Sequence, residues 1–217
     1  MTRSQPEGFL VIPPTGNGPG VLVLHTWWGL NETMKDFCTK LAESGFTAFA
    51  PDLYHGKIAD TIPDAEALGS ALDQNFQQVR VEIEEAAMFL NERTWQAGRG
   101  LAVIGFSLGV YYALDLAATH PDLISSVVIY YGSGDGDYSN SRAAYLGHFA
   151  VEDEFEPQSN IDQLEESLRR AGRQVTFHRY SGTGHWFCEP DRKDAYNEAA
   201  ANLAWERTLT FLKGSSA

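Results

Sequence analysis

Three observations predict an α/β fold across residues 1–217, with a mostly parallel central sheet and helices on both faces. Short unbroken apolar runs, such as Val21-Leu22-Val23-Leu24 and Val127-Val128-Ile129-Tyr130-Tyr131, have the character of strands buried on both sides. Segments with apolar residues at helical spacing alternate with these runs along the chain. A third apolar run, Leu101-Ala102-Val103-Ile104, ends in Gly105-Phe106-Ser107-Leu108-Gly109 and is followed by an Ala/Leu-rich helical segment. That reads as strand, sharp turn and helix, with a serine at the apex.

Taken in order, Gly8-Phe9-Leu10-Val11-Ile12 reads as a short strand and Pro13 to Gly20 as its turn. The run Val21 to His25 is the next strand, and Thr26-Trp27-Trp28-Gly29-Leu30-Asn31 is the loop at its carboxyl end. Met34, Phe37, Cys38 and Leu41 lie at helical spacing within a helix over Thr33 to Ser44, which Gly45 stops. Phe46 to Ala50 follows as a strand ended by Pro51-Asp52-Leu53-Tyr54. The region His55 to Ile62 is looser, and helices are expected from near Asp64 and over Phe76 to Arg93. After the serine turn come a helix Leu108 to Ala118, a strand Leu123 to Tyr131 and a polar loop. Ala144 to Ala150 is a strand, Ile161 to Ala171 a helix, Val175 to Tyr180 an alternating strand, and Ala195 to Leu212 a last amphipathic helix.

The chain has 217 residues, 43% hydrophobic and 12% aromatic, which suits one folded domain with a substantial core. No apolar run reaches the ~20 residues that cross a bilayer. The start, Met1-Thr2-Arg3-Ser4-Gln5-Pro6-Glu7, lacks the apolar stretch of a secretory signal. With Cys38 and Cys188 the only cysteines, a disulfide scaffold is not expected and a cytoplasmic location is. A formal net charge of −13 argues against a nucleic-acid partner. No HExxH, CxxC or His-x-His spacing points to a metal, and the glycine-rich Gly132-Ser133-Gly134-Asp135-Gly136 lacks a P-loop lysine.

Ligands of such sheets bind beyond the carboxyl ends of the strands, which selects the loops at Thr26, Ser107, Asp153 and His185. A serine hydroxyl is a weak nucleophile and needs a base, normally a histidine oriented by a carboxylate. Of six histidines, His25 ends a strand and could serve core or site, whereas His148 and His178 lie within strands. His120 stands at a helix end as a cap, and His55 is in the looser region. His185, behind the small residues Ser181-Gly182-Thr183-Gly184, is the expected base. The carboxylate comes from Glu152, Asp153, Glu154 and Glu156; Asp153 is preferred, standing just past the strand end before Phe155 and Pro157, with Glu152 next. The oxyanion donors are then the amide of Leu108 and that of Trp27. A serine that only caps the following helix is the competing reading of Ser107.

The order Ser107, Asp153, His185 is that of α/β-hydrolases, and the chain resembles one family of that three-layer fold, the dienelactone hydrolases. The resemblance rests on His25-Thr26-Trp27-Trp28-Gly29-Leu30-Asn31, Ala50-Pro51-Asp52-Leu53-Tyr54, Gly105-Phe106-Ser107-Leu108-Gly109, Tyr130-Tyr131-Gly132, Asp153-Glu154-Phe155-Glu156-Pro157 and Gly184-His185-Trp186-Phe187. It implies hydrolysis of a small carboxylic ester or lactone through an acyl-enzyme, with no cofactor, by a monomer or small homo-oligomer. Within these motifs Thr26, Trp28, Tyr54, Tyr131 and Trp186 are expected to line the substrate pocket. In the family's founding enzymes the nucleophile is cysteine, where this chain has Ser107, and a glutamate stands where this chain has Thr26. An arginine that the family uses for a substrate carboxylate falls near Cys188-Glu189-Pro190, with Arg192 further on. The same fold acting on a thioester, carbamate or peptide bond, or a binding module without catalysis, are the alternatives.

Overall fold

The computed structural model describes residues 3–94 and 100–215. Met1, Thr2, residues 95–99, Ser216 and Ala217, part of the expected 1–217 unit, lie outside the described residues. The strands are β1 (Gly8–Val11), β2 (Gly20–Leu24), β3 (Thr47–Pro51), β4 (Leu101–Phe106), β5 (Ile124–Tyr130), β6 (Ala144–Ala150) and β7 (Val175–Tyr180). The helices are α1 (Glu32–Glu43), α2 (Ile62–Gln74), α3 (Phe76–Asn91), α4 (Leu108–Thr119), α5 (Gln158–Arg170) and α6 (Glu198–Ser215). The sheet order is β1-β3-β2-β4-β5-β6-β7. Only β1 runs antiparallel, beside β3, and the other described pairs are parallel.

Alternation along each strand divides the apolar residues between two cores. Leu22, Leu24, Val103, Val127, Ile129, Tyr145 and Phe149 face α2, α3, α4 and α5, meeting Val79, Ile83, Ala113 and Leu164. Val21, Val23, Ile104, Val128, Leu146 and Ala150 face α1 and α6, meeting Met34, Cys38, Leu41 and Ala204. Helix, sheet and helix thus form three layers, and β2, β4 and the Val127–Tyr130 part of β5 are apolar because each is covered on both faces.

Most predicted boundaries stand within about two residues of those observed, which is the ordinary spread for helix ends. Three differences are larger: two helix starts, and the end of the last helix, which runs to Ser215 rather than to the expected Leu212. Helix α5 begins at Gln158, directly after Pro157, because its first turn is polar and apolar spacing first registers at Ile161. The last helix begins at Glu198 because residues from Arg192 to Tyr196 form turns. Asn197 then caps the helix by accepting from the Ala200 amide at 3.1 Å.

From β2 the chain crosses to β3 on one side, and later places β4 on the other. The crevice at that reversal, beyond the carboxyl ends of β2 and β4, is where such sheets bind ligands. Leu24 lies level with Gly105 there, so the Thr26 loop and the Ser107 turn emerge side by side.

Candidate active site

Ser107 sits between β4 and α4 with φ 48° and ψ −114°, a conformation that costs a non-glycine residue about 1–3 kcal/mol. Neighbours hold it there: its amide donates to the Tyr130 carbonyl at 2.9 Å, and its own carbonyl accepts from Val110 at 2.9 Å. The two flanking glycines are sterically required. A Cβ on Gly105 would stand 2.7 Å from the Gly109 carbonyl oxygen, and one on Gly109 would stand 2.4 Å from that of Leu24. Helix α4 therefore starts in direct backbone contact with the end of β2. The Ser107 side chain makes no helix-capping hydrogen bond, which removes the capping explanation of this serine.

Its hydroxyl donates instead to His185 Nε2 at 2.9 Å. His185, from the loop after β7, donates through Nδ1 to Asp153 Oδ2 at 2.8 Å, with Oδ1 at 2.9 Å. These partners assign the proton to Nδ1 and leave the Nε2 lone pair toward Ser107. Asp153 Oδ1 also accepts the amides of Phe155 and Glu156, each at 2.9 Å. Three donors thus converge on one carboxylate, and the pair is dry: 6% of the His185 side chain and 1% of the Asp153 side chain are exposed. The His185 loop is tied to the acidic loop by the Glu152 amide, which donates to the Thr183 carbonyl at 3.1 Å. Glu152 itself is exposed and does not join the group.

Leu108 is the first residue of α4, so its amide has no intrahelical acceptor and lies at the positive end of the helix dipole. Trp27 follows Thr26 at the end of β2, whose Leu24 and His25 carbonyls Gly109 abuts, so both candidate donors belong to this end of the sheet. Thr26 shapes the loop: its hydroxyl accepts from the Trp28 amide at 3.1 Å and its carbonyl from Gly29 at 3.1 Å.

Aromatic rings surround His185. Phe155, Trp186 and Tyr131 lie with ring centroids 5.3, 5.0 and 5.1 Å from the imidazole. Trp27 meets Phe155 at 6.2 Å, and Trp28 meets Trp186 at 5.2 Å. Helix α2 packs over the two tryptophans through Ala65 and Leu68, with Gly69 against the Trp27 indole. Thr26, Trp28 and Tyr131 are buried and back this wall, whereas Trp27, Trp186 and Phe155 keep exposed surface. Tyr54 is not brought to the group. It packs into the core against His25 at 4.9 Å, in the cluster with Leu72 and Tyr112, because the Asp52 turn folds it inward.

The nearest arginine in the sequence after His185, Arg192, lays its guanidinium over the Trp28 ring at 3.8 Å and pairs with Asp191 at 3.1 Å. The remaining histidines are structural. His25 is buried and its Nε2 accepts from the Leu53 amide at 3.2 Å. His148 is buried between Tyr180 and Thr208, and His178 stacks on it. His120 caps α4 and pairs with Glu84. His55 is fixed between Glu7 and Glu82 in a left-handed turn, φ 51°, so this part of the looser region has defined contacts. Among the described residues no His, Cys, Asp and Glu group has the makings of a metal site.

Sequence reasoning passed over Glu189. This carboxyl is fully buried, accepts the Tyr131 hydroxyl at 2.8 Å, and leaves Oε2 without a hydrogen-bond partner. Burial pushes it up to about 8, with Asp191 adding to the rise and Tyr131 and Arg192 opposing it. The available signal is an acid inside the otherwise apolar run Trp186-Phe187-Cys188-Glu189-Pro190.

An open, mostly parallel sheet in three layers, with a serine raised on a strained strand-to-helix turn, is the α/β-hydrolase fold. Within that class, residues 7–216 match the Dienelactone hydrolase family, and the chain belongs to it. It is 33% identical over 214 residues to "Protein usf" of Aquifex pyrophilus, covering 95% of this chain and 92% of that one. It is 30% identical over 214 residues to the Aquifex aeolicus protein named "Putative carboxymethylenebutenolidase", with the same coverage. A Klebsiella pneumoniae crystal structure named "Putative Dienelactone Hydrolase" superposes with TM-score 0.81 at 26% identity, covering 94% of this chain and 90% of that one.

Proposed function

We propose that this chain is a serine hydrolase that cleaves small, uncharged carboxylic esters or lactones through an acyl-enzyme. The observation that carries the reading is the relay from Ser107 Oγ to His185 Nε2 at 2.9 Å and from Nδ1 to Asp153 at 2.8 Å. His185 takes the hydroxyl proton as Ser107 attacks the acyl carbon, and Asp153 stabilises the imidazolium that results. The Leu108 and Trp27 amides receive the oxyanion. The imidazolium proton then goes to the leaving alkoxide. Water, deprotonated by His185, attacks the acyl-enzyme and releases the acid and Ser107.

The relatives named for carboxymethylenebutenolidase activity support an ester or lactone substrate for this chain. The wall supports an uncharged one: Trp27, Phe155 and Trp186 offer aromatic surface beside His185, and Arg192 is engaged by Asp191 and Trp28. A panel of p-nitrophenyl esters, lactones and carboxylate-bearing analogues tests the assignment. Turnover of neutral esters, abolished in Ser107→Ala, is the expected result. A preference for anionic substrates, or thioester or peptide cleavage without ester cleavage, would overturn it.

A further inference from the structure

We propose that Glu189 is a positioning residue for the Ser107–His185 pair, acting through Tyr131 from behind the site; this rests on the reading of Ser107 as nucleophile. The geometry is a junction of three loops. Glu189 comes from the loop after β7, which also carries His185, and its amide closes a turn onto the Trp186 carbonyl at 2.9 Å. Its Oε1 accepts from Tyr131 at 2.8 Å. Tyr131, at the end of β5, sits at φ 39° and is fully buried, and its ring stands against the imidazole at 5.1 Å and against Phe187 at 5.6 Å. The Tyr130 carbonyl just before it receives the Ser107 amide at 2.9 Å. The Thr26 hydroxyl, which shapes the candidate oxyanion loop, faces the same carboxyl.

A strained tyrosine persists only when its surroundings over-determine it. Its hydroxyl needs a buried acceptor, and among the described residues Glu189 supplies it. The Tyr131 side chain that flanks His185 is thereby fixed by a carboxyl that bonds Tyr131 and neither Ser107 nor His185. The titratable and charged groups facing that carboxyl are Tyr131, Asp191 and Arg192, with Cys188 beside it and His185 beyond the Tyr131 ring. While protonated, it accepts from Tyr131 and adds no charge. Once ionised, it is a buried anion behind Thr26, whose loop carries the candidate oxyanion donor Trp27, and turnover is expected to fall.

The test is kcat, KM and the pH profile of ester hydrolysis for Glu189→Gln, Glu189→Leu and Tyr131→Phe. Gln keeps an acceptor for Tyr131, should retain most of kcat at pH 7, and should lose the fall in kcat/KM expected of the unsubstituted chain above about pH 8. Leu and Tyr131→Phe each lower kcat by about 10- to 100-fold with little change in KM, the scale of a small misplacement of catalytic groups. Combining Leu with Tyr131→Phe adds no further loss, since both remove one bond. Equal rates and unchanged pH profiles in Glu189→Gln and Glu189→Leu would overturn the inference, as would equal losses in both. If Glu189→Leu does not fold, Tyr131→Phe and Glu189→Gln decide alone. Should Ser107→Ala keep full turnover, it is the nucleophile assignment that falls. If Ser107→Ala is inactive while the Glu189 variants behave as the unsubstituted chain does, only the role of Glu189 falls.

Discussion

Asp153→Asn isolates the role of the carboxylate from that of the fold. Asp153 now accepts three hydrogen bonds: His185 Nδ1 and the amides of Phe155 and Glu156. An asparagine can keep its oxygen on the two amides, because they approach the same atom, Oδ1. Its remaining group is then an NH2, which can only donate toward His185. Nδ1 must become an acceptor, so the imidazole proton moves to Nε2 and points at Ser107 Oγ. The base is present but in the wrong tautomer. In triad enzymes that error lowers kcat by about 10⁴-fold, and at 1.36 kcal/mol per decade this is roughly 5 kcal/mol of transition-state stabilisation. Stability suffers far less: weakening two charge-assisted bonds costs about 1–2 kcal/mol, a shift in Tm of a few degrees for a chain of this size. The assay is p-nitrophenyl acetate hydrolysis under saturating substrate, with a melt by circular dichroism. Glu152→Gln is the control, because Glu152 is exposed, and it should leave kcat near that of the unsubstituted chain. A folded Asp153→Asn within tenfold of the unsubstituted rate would refute the tautomer argument.

Other perturbations separate backbone sterics, buried charge and pocket wall. Gly109→Ala places a methyl 2.4 Å from the Leu24 carbonyl oxygen, so urea unfolding should show a loss of at least about 1–3 kcal/mol, together with reduced turnover. Burial raises Glu189 from 4.5 to about 8, so between those values the unfolded chain releases a proton that the folded chain keeps. Folding stability therefore falls as pH rises through that window, by up to roughly 4–5 kcal/mol from this group, and is level in this respect below it. Glu189→Gln should flatten that slope in urea titrations at pH 5, 6.5 and 8; parallel slopes would contradict it. Phe155→Ala removes a ring that is 45% exposed, so Tm should stay within a few degrees while kcat/KM for aromatic esters falls about tenfold.

The part of the fold that carries the candidate site was legible because it rests on local sequence signals. An unbroken apolar run such as Val21 to Leu24 can only be satisfied by cover on both faces, and Gly105-Phe106-Ser107-Leu108-Gly109 encodes its own backbone approach. The helix starts at Gln158 and Glu198 were not legible, since a polar first turn and an asparagine cap leave no apolar period to read. The grouping of Ser107, Asp153 and His185 followed from chain order and loop position. Asp153 was preferred among four neighbouring acids for its place just past the strand end, before Phe155 and Pro157, and it is the acid that hydrogen-bonds His185. Tyr54 shows where such reasoning stops, because a motif position does not reveal that its ring turns into the core against His25. Glu189 shows the converse. Its importance is in its burial and in Tyr131, 58 residues away, and neither is visible along the chain.

The proposal that Ser107 is a nucleophile is tested most directly by a fluorophosphonate probe, which forms a covalent bond with an activated serine hydroxyl and leaves an unactivated one alone. Intact-mass and peptide analysis should find one adduct per chain, on the peptide containing Ser107, with none in folded Ser107→Ala and loss of ester turnover in step with labelling. A folded chain that takes up no probe, or one labelled elsewhere while turnover survives in Ser107→Ala, would contradict the assignment of Ser107 as the nucleophile.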